Sequence, residues 1–197
     1  MRLIFRTAFV ILMLGLSVPV AADPYKDAEA AYDRRDWGTA LRLIKPLADQ
    51  GHAGAQNNLG WMFRLGWGVP RNYAEAMKWY RLAADQGNAA AQFHLGLMFL
   101  NGWGVPLNYA ETIKWYHLAA DQGDDLAQNN LGLMFDIGQG VPQNYVQAHM
   151  WFSLAGAGGN SDGNKNRDRV AAKMTAAQIA EAQRLAAEWK PKSTQPR

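Results

Sequence analysis

The feature that most constrains this chain is an internal repeat with a period of 36 residues. Residues 51–86 and 87–122 are identical at 25 of 36 aligned positions, and a looser third copy covers residues 123–159. A catalytic site needs one copy of its residues, whereas a stacking unit needs several. A fixed period of this length, built from two apolar-periodic segments, is typical of helix–turn–helix units, and about three copies are needed for stability.

Each copy carries the signals of two helices. The first helix is predicted from about Ala53 to Leu65, and Gly66 follows it at a position that suits a left-handed helix end. The sequence Gly-Val-Pro comes next in all three copies, and proline cannot continue the helix. The second helix is predicted to begin after an asparagine N-cap. The three N-caps are Asn72, Asn108 and Asn144.

Three further sets of residues recur in register and have predicted structural roles. A Glu or Gln three residues after each N-cap is expected to complete a capping box. These residues are Glu75, Glu111 and Gln147. Glycine inside a helix costs about 1 kcal/mol relative to alanine, so its recurrence in the first helix predicts a close approach by a neighbouring helix. The glycines are Gly60, Gly96 and Gly132, and the recurrent tryptophans predicted to lie in the core are Trp79, Trp115 and Trp151.

Residues 1–22 have the pattern of a secretory signal peptide. Arg2 and Arg6 precede an apolar stretch of about 14 residues, which is shorter than the roughly 20 residues of a membrane-spanning helix. Small residues follow, and cleavage is predicted after Ala22. The alternative is an uncleaved membrane anchor, which the short apolar stretch disfavours. The pattern therefore predicts a periplasmic or secreted protein without stable membrane insertion after cleavage.

The two ends of the array are predicted to differ from the repeats. Glycine and serine in residues 157–166 indicate that the repeats end there. Thr175 and Gln178 are predicted to form another capping box, before a predicted helix over residues 176–189. The predicted division is a signal peptide (1–22), an N-terminal helix pair (23–50), three repeats (51–86, 87–122 and 123–159), C-terminal capping helices (160–190) and a disordered tail (191–197).

The repeat resembles the Sel-one-like repeat, a relative of the tetratricopeptide repeat. The segment AAAQFHLGLMFLNGWGVPLNYAETIKWYHLAADQG has that family's Ala-x-x-x-Leu-Gly helix, Gly-x-Gly-Val loop and closing Ala-Ala-x-x-Gly. Phenylalanine stands in place of the family's tyrosine. The resemblance covers residues 49–159, while residues 24–48 are more similar to a plain tetratricopeptide pair.

This resemblance implies an all-α fold, a right-handed α/α superhelical solenoid of helix–turn–helix repeats with capping helices. It also implies that the first helix of each pair lines a concave face. Members of the family act mostly as adaptors that hold protein partners. Some exported, cysteine-rich members are associated with β-lactam binding or hydrolysis, but this chain has no cysteine.

Positions that differ between the copies are the candidates for recognition, because the repeated positions are needed for stacking. Three of them lie at i, i+4 and i+7 of the first helix and so share one side. An exposed Trp61, Phe93 and Leu97 beside Arg64 would suit a peptide with apolar anchors. The alternative is that these positions are unconstrained or pack against a neighbouring helix. The predicted partner-binding residues are Asn57, Trp61, Arg64, Phe93, His94, Leu97, Asn129, Leu133 and Asp136.

Other residues give little indication of chemistry. The four histidines fit no metal motif, no serine lies in a Gly-x-Ser-x-Gly setting, and the glycine-rich loop lacks the lysine of a phosphate loop. No catalytic residue, cofactor or metal is therefore predicted. Trp67 and Trp103, in the loops, are expected to cover the end of their own helix pair rather than to stack on sugar rings.

The sequence thus predicts an exported, non-enzymatic scaffold or adaptor that binds a protein or peptide partner of the cell envelope on its concave face. The alternative is a cell-wall ligand binder or hydrolase acting on peptidoglycan, polysaccharide or β-lactams. A near-neutral body with a formal net charge of +3 for the whole chain, together with export, argues against nucleic acid as a partner. Homo-oligomerisation is left open.

Overall fold

The computed structural model describes residues 23–192. The predicted signal peptide and the last five residues of the predicted tail lie outside the described residues. Within that range the chain forms ten α-helices and no strand. The helices are α1 (Pro24–Asp33), α2 (Trp37–Asp49), α3 (Ala53–Leu65), α4 (Tyr73–Asp85), α5 (Ala89–Asn101), α6 (Tyr109–Ala120), α7 (Asp125–Ile137), α8 (Tyr145–Ala157), α9 (Ser161–Ala171) and α10 (Ala176–Glu188).

Helices that follow each other in the chain pack against each other from α1 to α9, and α10 packs on α8. Each repeat contributes one antiparallel pair, and the pairs stack in chain order. The apolar core runs through the stack, since buried residues of each pair contact those of the next. The predicted all-α solenoid is confirmed. Within residues 23–192, no helix has both the length and the apolar character needed to cross a membrane.

The asparagine N-caps form as predicted, but the capping boxes of the repeats do not. Each asparagine Oδ1 accepts the backbone N–H of the third residue after it, at 3.1 Å. The asparagine's own N–H is already donated to a phenylalanine carbonyl at the end of the preceding helix, as in Asn72 to Phe63 at 2.8 Å. The Glu or Gln side chain therefore has no N–H left to accept. The box at Thr175 and Gln178 does form.

The glycines inside the first helices allow a close approach, as predicted. A Cβ at Gly60 would lie 2.7 Å from the ring of Tyr80, and one at Gly132 would lie 2.5 Å from the ring of Phe152. Gly96 is in the same relation to Tyr116. These aromatic rings are fully buried. The missing side chain thus makes room for the ring that fills the centre of each pair.

Recurrent glutamines make one hydrogen bond to the preceding repeat and one within their own repeat. Nε2 of Gln92 donates to the carbonyl of Ala84 at 3.2 Å, and Oε1 of Gln92 accepts from Nε2 of Gln122 at 2.7 Å. The copy before it makes the same two bonds. In the third copy Gly158 occupies the place of the donor glutamine, so the Oε1 of Gln128 has no partner among the described residues.

The loop tryptophans pack on the preceding helix pair, and Trp67 also packs on Trp61 of its own pair, with ring centroids 6.4 Å apart. The expectation that they cover their own pair therefore holds in part for Trp67, whereas Trp103 packs on the preceding pair. The Trp67 ring stacks on Trp37 with centroids 4.3 Å apart, and Trp103 stacks on Tyr73 at 5.9 Å. Trp37 and Tyr73 are the first residues of α2 and α4. The second glycine of each loop permits this contact, since a Cβ at Gly68 would lie 2.8 Å from the carbonyl oxygen of Trp37.

Candidate functional site

The first helix of each pair belongs to one layer, made of α1, α3, α5, α7 and α9, which we call the first-helix layer. Asn58 of α3 donates to the Tyr25 hydroxyl of α1 at 3.3 Å. The rings of Trp61 and His94 join α3 to α5 with centroids 4.9 Å apart. The predicted partner-binding residues all lie in this layer, but the structure does not leave them equally accessible.

The C-terminal end of the first-helix layer is covered by α9. Asp136 is 2% exposed, and its carboxylate oxygens accept from Arg169 and Lys173, each at 2.9 Å. Asn129 accepts from Asn166 of α9 at 2.9 Å. Leu133 packs beside the buried cluster that contains Val170 of α9. The expectation that Asn129, Leu133 and Asp136 lie open to a partner is therefore wrong, because α9 occupies the place of the next first helix.

Three of the remaining predicted residues are buried inside the stack. Asn57, Phe93 and His94 are 7%, 8% and 5% exposed. Phe93 stacks on Tyr116 with ring centroids 5.7 Å apart. The prediction that they are exposed is wrong, because α3 and α5 each have a neighbour in the layer on both sides and their variable positions fill those contacts. Leu97 is half-buried against the same core cluster.

Trp61 and Arg64 are half-buried and lie towards the N-terminal end of the first-helix layer. There α1 and α3 enclose a cleft of about 380 Å³, which we call the aromatic cleft. Its lining residues are Glu29, Tyr32, Asp33, Asn58 and Trp61. The sequence repeat missed Glu29, Tyr32 and Asp33, because α1, unlike α2, does not share the 36-residue register.

A group of aromatic rings makes one wall of the cleft rigid. Trp67 lies parallel to Trp37 and to Trp61, with ring centroids 4.3 and 6.4 Å away. Tyr32 meets all three indoles edge-on, at 5.2 to 6.5 Å. Stacked and edge-on aromatic pairs are favourable arrangements, so the wall is preformed. The recurrence of an aromatic residue at 37, 73, 109 and 145 is the sequence signal that could have indicated this packing.

The charges around the cleft are separated into two groups. Glu29 and Asp33 are exposed on α1. On the other side, the guanidinium of Arg64 lies over the ring of Trp61, with its Cζ 5.7 Å from the ring centroid. Burial lowers the pKa of His94 to about 3, with a further contribution from Arg64, and burial raises the pKa of Tyr32 to about 12. Both groups are neutral near pH 7, so Arg64 carries the charge on its side.

The cleft combines apolar faces, hydrogen-bond donors and two carboxylates, which is the chemistry of a binding site. Within residues 23–192, no group of His, Asp and Glu residues has an arrangement that could hold a metal ion. The loop tryptophans pack on other aromatic and cationic groups: Trp67 on Trp37 and Trp61, and Trp103 on Tyr73 and the Arg64 guanidinium.

The fold is that of a helical repeat solenoid, with a cleft at one end of its first-helix layer. Comparison with protein families makes the class specific: the family profile of the Sel1 repeat matches residues 53–88, 89–124 and 125–160, more than half of the chain. The chain belongs to the Sel1 repeat family. Its repeats begin at the first residue of each first helix in that profile, two residues later than the sequence period suggested. Sel1 repeat proteins are typically scaffolds for protein interaction and are generally not catalytic.

Solved structures agree with this assignment. A Sel1 repeat protein from Oxalobacter formigenes superimposes with a TM-score of 0.72 at 28% identity, over 85% of this chain and 68% of that chain. A protective antigen of uropathogenic Escherichia coli that displays the SLR fold superimposes with a TM-score of 0.56 at 30% identity. That alignment covers 77% of this chain but 40% of the antigen. No curated protein matches the chain.

Proposed function

We propose that this chain is a non-enzymatic, exported scaffold or adaptor that binds a protein or peptide partner of the cell envelope at the aromatic cleft. The observation that carries the proposal is the cleft itself. It is preformed by stacked rings, it lies at the end of the first-helix layer that α9 leaves uncovered, and it presents Trp61. Tryptophan is enriched among the residues that dominate the energy of protein interfaces.

The location rests on the amino-terminal sequence. Residues 1–22 have basic, apolar and small-residue regions in the order of a signal peptide, which supports periplasmic or secreted localisation. The test is to express the full chain in a bacterial host and measure the intact mass of the protein in each cell fraction. We expect a periplasmic or secreted product that lacks residues 1–22. A cytoplasmic product of full mass would contradict export.

Partner binding is tested by crosslinking in the native cell, followed by mass spectrometry of the captured proteins. The informative variant is Trp61→Leu, because Leu97 and Leu133 occupy the same position of the other repeats and show that the helix accommodates leucine. We expect one envelope protein to be recovered with the wild-type chain and lost with this variant.

The matched control is Leu107→Ala, which removes an exposed apolar side chain (52% exposed) from a loop outside the cleft. The control is expected to retain the partner, and both variants are expected to keep the helical circular dichroism of the wild type. Equal recovery of the partner by wild type and Trp61→Leu would contradict the assignment of the cleft. Recovery of cell-wall fragments without protein would contradict the adaptor function.

A further inference from the structure

Arg64 is a cation beside the aromatic cleft with no partner of opposite charge. Its Cζ lies 5.7 Å from the ring centroid of Trp61 and 5.5 Å from that of Trp103, so the guanidinium is held between two indoles. No carboxylate oxygen of residues 23–192 lies within 4.0 Å of a guanidinium nitrogen of Arg64. Arginine keeps its charge at all physiological pH values. The orientation of the side chain is thus fixed while its charge is left uncompensated.

Buried polar atoms without partners are concentrated around this guanidinium. Five of the nine such side-chain atoms of residues 23–192 belong to this cluster. They are Tyr32 Oη, Trp61 Nε1, Arg64 Nε, Tyr80 Oη and His94 Nδ1. Buried polar groups are normally hydrogen-bonded, and Arg64 is the member of this cluster that acts on the charge of the others, lowering the pKa of His94.

The same position of the third repeat shows how a charge in this layer is covered. Arg64 and Asp136 are equivalent, two periods apart. At Asp136 the carboxylate faces α9, whose Arg169 donates at 2.9 Å while Lys173, just after the helix, donates at the same distance. A segment that packs on the first-helix layer thus supplies the charge opposite to the one it meets. At Arg64 the sign is reversed, and the matching group is a carboxylate.

The two carboxylates at the rim of the cleft favour a positive charge on the bound segment, in addition to the carboxylate that would pair with Arg64. Glu29 and Asp33 lie one helical turn apart on α1, both line the cleft and both are exposed. Neither forms an ion pair within the described residues. A bound segment that carried a carboxylate alone would meet repulsion from these two groups, whereas a basic side chain beside the carboxylate would be attracted to them.

We infer that the aromatic cleft binds an extended peptide segment whose Asp or Glu side chain pairs with Arg64 and whose neighbouring Lys or Arg side chain lies against Glu29 and Asp33. This inference rests on the proposed function, since it specifies the partner of the same cleft. Arginine suits the role because its planar guanidinium binds a carboxylate with two parallel hydrogen bonds while stacking on aromatic rings.

The test is selection of random heptapeptides displayed on phage, with the purified chain as bait. One library displays the peptides internally, without a free carboxyl terminus, and a second displays them with one. Baits are the wild type, Arg64→Leu, Arg64→Glu and Arg81→Leu. Leucine is the native residue at the position equivalent to 64 in the second repeat. Arg81, whose Cζ lies 4.7 Å from the ring centroid of Trp115, is the control for an arginine on a tryptophan in another helix layer.

We expect the wild type and Arg81→Leu to enrich internal peptides that carry an acidic residue near a basic one. Arg64→Leu is expected to lose the acidic preference, with affinity for the selected peptides reduced about tenfold or more, and Arg64→Glu is expected to prefer basic residues at that site. Circular dichroism confirms that each bait is folded.

Several outcomes would overturn the inference. Enrichment of apolar peptides without an acidic residue would do so while leaving the proposed function intact, as would an acidic preference that survives Arg64→Leu. If only the library with free carboxyl termini were enriched, the group that pairs with Arg64 would be the peptide's terminal carboxylate and not an Asp or Glu side chain. If no peptide were enriched by the folded wild type, both the inference and peptide binding at this cleft would be wrong.

Discussion

At the scale of single residues, the repeat separates positions that build the stack from positions that individualise each copy. Gly96 and Gln92 belong to the first kind, because in every copy the glycine lies against an aromatic ring and the glutamine Nε2 donates to an alanine carbonyl. His94 belongs to the second kind. Asparagine replaces it in the other two copies, where Asn58 and Asn130 donate to tyrosine hydroxyls. Positions that build the stack govern stability, whereas positions that differ between copies can change without loss of the stack.

Gly96→Ala is expected to lower the free energy of unfolding by about 1–3 kcal/mol, because the added methyl would overlap the buried ring of Tyr116. Gly38→Ala is the matched control. Gly38 also lies in a helix, but its nearest heavy atom would be 3.9 Å from the new Cβ, so the change is expected to be neutral or stabilising by up to about 1 kcal/mol. Urea unfolding measures both. Equal stability of the two variants would refute the close-approach role.

His94 is expected to make the protein sensitive to acid. Its pKa falls from 6.5 to about 3 in the folded state, first because of burial and then because of Arg64. The folded chain therefore binds fewer protons than the unfolded chain below pH 6.5, and stability is lost as pH falls through that range. The pKa values of His117 and His149 are also lowered by burial, so they contribute in the same direction.

The variant His94→Asn should remove the largest part of this sensitivity. Asparagine has no proton to gain, and at the equivalent position Asn130 donates to Tyr116 at 3.2 Å, so the new side chain can satisfy the hydroxyl of Tyr80. Between pH 7 and pH 5 we expect the variant to lose about 2 kcal/mol less stability than the wild type. Urea titrations at the two pH values measure the difference. Parallel losses would show that His94 does not control the acid response.

At the scale of helices, α9 lies outside the repeats and determines which end of the first-helix layer is covered. It has little apolar sequence, and it is held to α7 by polar side chains: Asn166 on Asn129, and Arg169, with Lys173 just beyond the helix, on Asp136. It closes one end of the first-helix layer and leaves the other end open. The position of the candidate site therefore depends on a helix that lies outside the repeat.

The double variant Arg169→Ala/Lys173→Ala is expected to destabilise the protein by about 3–5 kcal/mol, because it leaves the buried Asp136 carboxylate unpaired. Asp136→Leu is expected to cost much less, since the two cations are about half exposed and leucine is native at the equivalent position 100. Chemical denaturation compares the two. A larger loss from Asp136→Leu would contradict this account of the α7–α9 contact.

The sequence was sufficient to predict elements and insufficient to predict which of them cover each other. Helix ends at Gly66 and N-caps such as Asn72 follow from local chemistry, and their prediction was correct. The burial of Phe93 and Asp136 depends on partners that local sequence does not identify: Phe93 stacks on Tyr116 of α6, and Asp136 is covered by α9, which lies outside the 36-residue period. Tyr32 and Asp33 were missed for the same reason, because their role comes from contact between the non-repeated α1 and α3.

At the scale of the whole molecule, stability is a sum over neighbouring pairs, and the two ends are not equally secured. The C-terminal end is covered by α9 and α10, and the chain after α10 returns to Asp121. There the backbone N–H of Lys192 donates to the Asp121 carbonyl, and Lys192 Nζ donates to Asp121 Oδ2, each at 2.6 Å. At the N-terminal end, α1 buries Ala28 and Ala31 alone. The weaker end is the one that carries one wall of the aromatic cleft.

Native-state hydrogen exchange should detect this difference. We expect the amides of α1 to exchange through openings of lower free energy than those of α5 to α8, which have neighbours on both sides. A peptide that binds the cleft should slow exchange in α1 selectively, because it joins α1 to α3. Uniform protection along the chain would show that the array opens as a single cooperative unit.

The glutamine contacts between repeats have a consequence for how such a protein can evolve. The first glutamine of each copy donates to an alanine carbonyl of the preceding copy, as Gln92 does to Ala84 and Gln128 does to Ala120. The bond from Gln122 to Gln92 lies within one copy, so an inserted copy of residues 89–124 would bring that bond with it and find its alanine acceptor already present. Duplication of this segment within the gene would add a pair of helices without requiring a new interface. The length of the first-helix layer can therefore change in whole repeats, while the cleft between α1 and α3 and the α9 cap are inherited unchanged.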